Sequence, residues 1–181
     1  TKNGLKLIGD NSPFASSSTP GNVSPAANAS QLSAASSCAG LTCTGMIWIN
    51  GAQDVVIQNL FLRVNHGKSN EGIVATGNVN GLVLRNNYLQ ITATGGKTNA
   101  ISLNMAAGSN SDQNSTGGSP YYSGIYVTLD GNVVQPTGTV ASSRAVVSDY
   151  VAGVFHANQF AGSSQDMRLR YLTANARGSG F

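Results

Sequence analysis

The feature that most restricts what this chain can fold into is an approximate internal repeat with a period near 27 residues. Residues 46–64 read MIWINGAQDVVIQNLFLRV, residues 72–92 read GIVATGNVNGLVLRNNYLQIT, and residues 144–162 read RAVVSDYVAGVFHANQFAG. A fourth copy is split into NAISLNM at 99–105 and GIYVTLDGNVVQP at 124–136. Ile47, Ile73 and Ile101 open successive copies at separations of 26 and 28, and Ile57, Leu84, Leu129 and Phe155 correspond at separations of 27, 45 and 26. The long interval is one period plus an insertion of roughly eighteen residues, at about 107–122.

Each copy holds short runs that alternate apolar and polar residues, are rich in β-branched side chains, and are punctuated by Gly, Asn or Asp. No apolar face recurs at helical spacing, so the expected class is all-β. A unit of this size with two or three short strands cannot bury its apolar face alone, whereas stacked coils share one continuous core. An antiparallel sandwich would also show short strands, but it has no reason to repeat the same turn residue at the same phase. Here Asn87, Asn132 and Asn158 each fall three residues after Leu84, Leu129 and Phe155. They are expected to form a structural column, since asparagine side chains can hydrogen-bond from layer to layer and tolerate the left-handed backbone of a sharp corner.

The runs at 4–9 (GLKLIG), 54–60 (DVVIQNL) and 84–89 (LRNNYL) look like the strand-and-corner pattern of the pectin-lyase-like superfamily. The resemblance implies one single-stranded, right-handed parallel β-helix over residues 1–181, of about five to six coils, with two long polar loops at 11–44 and 107–122. It leaves function open, because that superfamily holds lyases, hydrolases, epimerases, tailspikes and adhesins.

Composition narrows the partners. Only 9% of the 181 residues are charged and the net charge of +3 is dispersed, so no basic run can track a phosphate backbone and nucleic acid is excluded as an expected partner. The nearest approach to a basic cluster is Arg168, Arg170 and Arg177. No stretch has the length and apolarity of a membrane span, and residue 1 opens without a signal-peptide pattern. The two cysteines, Cys38 and Cys43 in CAGLTC, can close a small disulfide ring in an oxidising compartment; as a metal site the pair lacks two ligands. Sequons at Asn22, Asn28 and Asn114 fit the same compartment. The expected location is secreted or cell-surface. Strand-like text near both termini is expected to make the chain a piece of a longer solenoid or a subunit that self-associates through its ends.

If Ile57, Leu84, Leu129 and Phe155 point inward, the next residues point outward. These are Gln58, Arg85, Asp130 and His156, one amide, one guanidinium, one carboxylate and one imidazole on neighbouring layers. Such a column suits a polysaccharide, with Arg85 pairing a uronate carboxylate and Asp130 or His156 exchanging a proton if there is catalysis. Equally, it suits a solvated polar face. Trp48, between inward Ile47 and Ile49, is expected outside, where it can stack on a sugar or lie beneath the 11–44 loop. His66, near Lys68 and Glu71 in a polar turn, is the remaining ligand-binding or general-base candidate. The chain has seven acids, most of them at turn positions, and lacks the paired-carboxylate segments of polygalacturonases and the WIDH segment of pectate lyases. No cofactor is expected, with calcium reserved for a lyase. The sequence therefore supports a structural, adhesive or glycan-binding β-helix module, with a polysaccharide lyase or hydrolase of acidic polysaccharide and an end-to-end stacking filament subunit as rivals.

Overall fold

The computed structural model describes residues 2–19, 23–33, 45–64, 71–91, 97–104, 126–137, 142–149, 152–161, 165–170 and 173–177. Among them there is no helix, and strands recur in groups of three. The first group is β1 (Lys6–Ile8), β2 (Ser30–Ser33) and β3 (Ile47–Asn50); the second is β4 (Val56–Gln58), β5 (Leu60–Val64) and β6 (Ile73–Thr76). Next come β7 (Leu82–Arg85), β8 (Tyr88–Ile91) and β9 (Lys97–Asn104), then β10 (Tyr126–Asp130), β11 (Val133–Pro136) and β12 (Ser142–Asp149). The last are β13 (Ala152–His156), β14 (Gln159–Phe160), β15 (Gln165–Arg170) and β16 (Thr173–Arg177).

Every third strand returns to the same sheet, which gives three parallel sheets: β1-β4-β7-β10-β13-β16, β2-β5-β8-β11-β14 and β3-β6-β9-β12-β15. This is a parallel β-solenoid. The register follows the repeat residue for residue. Leu7, Ile57, Leu84, Leu129 and Phe155 stand side by side in the first sheet. Ile47, Ile73, Ile101 and Val146 do so in the third. Apart from Leu7, their side chains pack in one core with Leu62, Leu89 and Val134 from the second sheet. In the strands that open the stack, the same inward positions are open to solvent at Leu7 and Leu32. A cavity of about 370 Å³ lies there, walled by Leu5, Leu7, Ile49, Ala52, Val55 and Ile57 among others.

The corner between the first and second sheets is built from two adjacent columns. Asn59, Asn86, Gly131 and Ala157 all have positive φ, between 49° and 63°, and turn the chain sharply. One residue later, Asn87 and Asn132, with Asn158 above them, form a buried ladder. Asn87 Nδ2 donates to Asn132 Oδ1 at 3.0 Å, and Asn132 Nδ2 donates to Asn158 Oδ1 at 3.0 Å. The same amides donate to the backbone carbonyls of Ile57, Leu84 and Leu129 at 2.8–2.9 Å. Their oxygens accept the backbone N–H groups of Leu60, Asn87 and Asn132. The ladder thus satisfies the backbone groups that the turn removes from the sheets. The left-handed conformation belongs to the residue before each ladder asparagine, which corrects its assignment to the ladder residues themselves. Ladder geometry instead requires those side chains to face inward.

A second correction concerns the long loop expected at 11–44. It contains β2, and its residues around Phe14, Val23 and Ala29 form a strap packed on the outer face of the second sheet, against Phe61, Tyr88 and Val133. Tyr88 stacks on Phe61 with ring centroids 5.3 Å apart, and Phe14 lies 6.3 Å from Tyr88 at a tilt. The outer face is therefore dry beneath the strap, which is why Phe61 and Tyr88 interrupt the simple alternation of inward and outward residues, while Arg63 beyond it is exposed. Cys38 and Cys43, and the insertion expected at 107–122, lie outside the described residues, as do the sequons at Asn22 and Asn114. Asn28 is exposed on the strap.

Candidate functional site

The left-handed corner residues also fix the best-defined polar cluster. Gln58, Arg85, Asp130 and His156 immediately precede Asn59, Asn86, Gly131 and Ala157, so each is the last outward position of its strand before the turn. Register places them in one row, Gln58 beside Arg85, Arg85 beside Asp130 and Asp130 beside His156. Neighbouring strands in such a sheet are about 4.8 Å apart, within reach of side-chain hydrogen bonds. Arg85 Nε donates to Asp130 Oδ2 at 3.2 Å, and His156 Nδ1 meets Asp130 Oδ1 at 3.0 Å. One carboxylate thus engages both bases, one with each oxygen.

These side chains are open to solvent: 45% of Arg85, 58% of His156 and 31% of Asp130 remain exposed. An ion pair in that setting contributes no more than about 1 kcal/mol to stability. Yet the cluster is oriented, because Asp130 holds the guanidinium through Nε and leaves its two terminal amino groups as further donors. The row continues to the backbone positions of Ile8 at one end and Arg177 at the other.

The other expected site residues are elsewhere. Trp48 lies on β3 in the third sheet and is 59% exposed. Its indole N–H donates to Thr76 Oγ1 at 3.2 Å, and the Thr76 hydroxyl donates to Asn50 Oδ1 at 3.3 Å, which fixes the ring plane at that edge. His66 lies outside the described residues, and of Arg168, Arg170 and Arg177 only the backbone is described.

Two groups escaped the sequence reading. Glu71, two residues before β6, has its carboxyl half-buried against β9, where Oε1 accepts from Asn99 Nδ2 at 2.6 Å and from the Ser102 hydroxyl at 2.7 Å. Burial pushes its pKa above the ordinary value, against the smaller opposing effect of the Ser102 and Asn99 hydrogen bonds. Its sequence signal was the spacing of one period to Asn99 in NAISLNM. The second is Tyr126, which shares the outward face of β10 with Thr128 and Asp130 and is 46% exposed. The alternation in YVTLD carried that signal.

Among the described residues no three His, Cys, Asp or Glu side chains gather as a metal site, and no helix is long and apolar enough to cross a membrane. No family model matches this chain, and comparison with curated proteins and with solved structures gives no match.

Proposed function

We propose that this chain is an exported glycan-binding module: a right-handed parallel β-helix of five to six coils whose Gln58–Arg85–Asp130–His156 row contacts acidic polysaccharide. The resemblance to the pectin-lyase-like superfamily and the near-universal right-handedness of parallel crossovers support the finer description of the fold. The observation that carries the functional reading is the Asp130 bridge. It orients an exposed guanidinium on a rigid sheet without using the terminal amino groups with which arginine grips carboxylates. Low charge and a Ser-, Asn- and Gly-rich surface suit a partner recognised by hydrogen bonds, and the sequons suit an extracellular setting.

Affinity electrophoresis through gels containing polygalacturonate or neutral xylan tests this. The acidic polymer should retard the wild-type protein, neutral xylan should not, and Arg85→Ala should lose the retardation while keeping its circular dichroism. Equal migration of wild type in all gels would remove the proposal.

The 3.0 Å contact of His156 with Asp130 favours a second reading, a lyase or hydrolase in which His156 exchanges a proton with the bound sugar. An ultraviolet assay for unsaturated products, paired with reducing-sugar detection and run with and without calcium, separates the two. Turnover abolished by His156→Ala supports catalysis, and silence in a protein that binds the polymer leaves the binding module.

A further inference from the structure

Resting on the glycan-binding reading, we infer that the ligand runs along β10 rather than along the stack, with a uronate at the Asp130 cluster and a sugar ring stacked on Tyr126. The strand presents Tyr126, Thr128 and Asp130 on one face, at alternate positions. At about 3.3 Å per residue, Tyr126 lies about 13 Å from the Asp130 cluster, roughly the length of three pyranose rings.

Tyr126 is built as a platform. Its backbone N–H donates to Asn80 Oδ1 at 2.9 Å, and its carbonyl accepts from the Gly81 N–H at 2.8 Å, so the strand is pinned where the ring emerges. The neighbour on the adjoining strand is Gly81, which has no side chain to cover the ring. A Cβ there would fall 2.3 Å from Asp54 Oδ1, so the position beside Tyr126 cannot take a larger residue without a shift and the ring stays uncovered on that side. An exposed aromatic face suits a sugar ring, whose C–H face stacks on it. A uronate is drawn to the Arg85 guanidinium at the other end of the strand. Thr128 and the half-buried Val83 form a low floor between the two ends.

Calorimetric titration with two ligands, glucuronic acid alone and a tetrasaccharide of one glucuronate linked to three xyloses, tests the arrangement. The tetrasaccharide should bind wild type about tenfold more tightly than the monosaccharide. Tyr126→Ala should erase that gain without weakening the monosaccharide, and Tyr126→Phe should retain it, since only the ring is needed. A gain that survives Tyr126→Ala, or one that Gln58→Ala removes in its place, overturns the orientation, because the chain would then follow the stack. Failure of both ligands to bind wild type would sink the glycan reading itself, and with it this inference.

Discussion

Ala157 is the one residue in the left-handed column that has a side chain without a polar group, while its counterparts are Asn59, Asn86 and Gly131. An L-residue with a Cβ meets a penalty of about 1–2 kcal/mol in that conformation, and asparagine reduces it by local hydrogen bonding. Ala157→Asn should therefore stabilise the protein by about 0.5–1 kcal/mol, seen as a higher urea midpoint with an unchanged slope. A lower midpoint would mean that the corner is not strained. Gly131 is constrained twice, by φ of 63° and by Asn86 Oδ1, which would lie 2.3 Å from an added Cβ. Within the ladder the sign reverses. Asn132→Ala strips partners from the backbone N–H of Asn87 and the carbonyl of Leu84, and breaks the side-chain bonds to Asn87 and Asn158, all buried. A loss of about 3–5 kcal/mol in chemical denaturation is expected. The column was legible because asparagine recurs at one phase. The left-handed column beside it was not, since Asn, Asn, Gly and Ala share a conformation without sharing a letter.

Strands and their attachments respond to different forces. Glu71 ties the start of β6 to β9. Its raised pKa means that the folded state keeps the proton to a higher pH than the unfolded chain does. The stabilisation linked to that proton is fully present below the ordinary carboxyl value of 4.5 and declines as pH rises through the raised folded-state value. Glu71→Gln should flatten this decline and raise the thermal midpoint at pH 8 relative to wild type. A steeper loss of stability in the variant at that pH would show that the ionised carboxylate is the form the site holds. The strap on the second sheet is secured by Phe14 on Tyr88. Phe14→Ala should free it for limited proteolysis while the strands stay protected; a strap as resistant as wild type would place its attachment elsewhere. The strap's attachment was not readable from the repeat, because Phe14 meets Tyr88 outside the 27-residue phase, whereas Glu71 stands one period from Asn99. β2 was missed for a related reason, since SQLS is a short, mostly exposed edge strand with little apolar patterning.

For the whole molecule, the repeat determined more than any single motif did. Registers of 27, 45 and 26 along the first sheet are the separations read from Ile57, Leu84, Leu129 and Phe155. Because parallel stacking converts sequence period into spatial neighbourhood, the row Gln58, Arg85, Asp130 and His156 could be written down before any distance was known. Its chemistry could not, because which oxygen of Asp130 meets which base depends on rotamers that no period encodes. Packing between layers, with charge a minor contributor, holds the stack together. Raising sodium chloride from 0.05 to 1 M should change the unfolding free energy by less than about 1 kcal/mol, since exposed pairs such as Arg85–Asp130 contribute little. A larger drop would show that charge networks carry the fold.

The ladder also has a direction. Each asparagine accepts from the backbone of the layer before it and donates back to that layer's carbonyl: Asn87 bonds Leu60 N–H and Ile57 C=O, and Asn132 bonds the corresponding groups of the next layer. For a chain emerging from the ribosome N-terminus first, every coil leaves the tunnel with its corner unsatisfied. The groups that complete it arrive one repeat later, after about 1–5 s of synthesis for an uninterrupted 27-residue period. The unfinished corner is then the landing mark for the next turn, and the molecule grows by closing each layer with the one that follows.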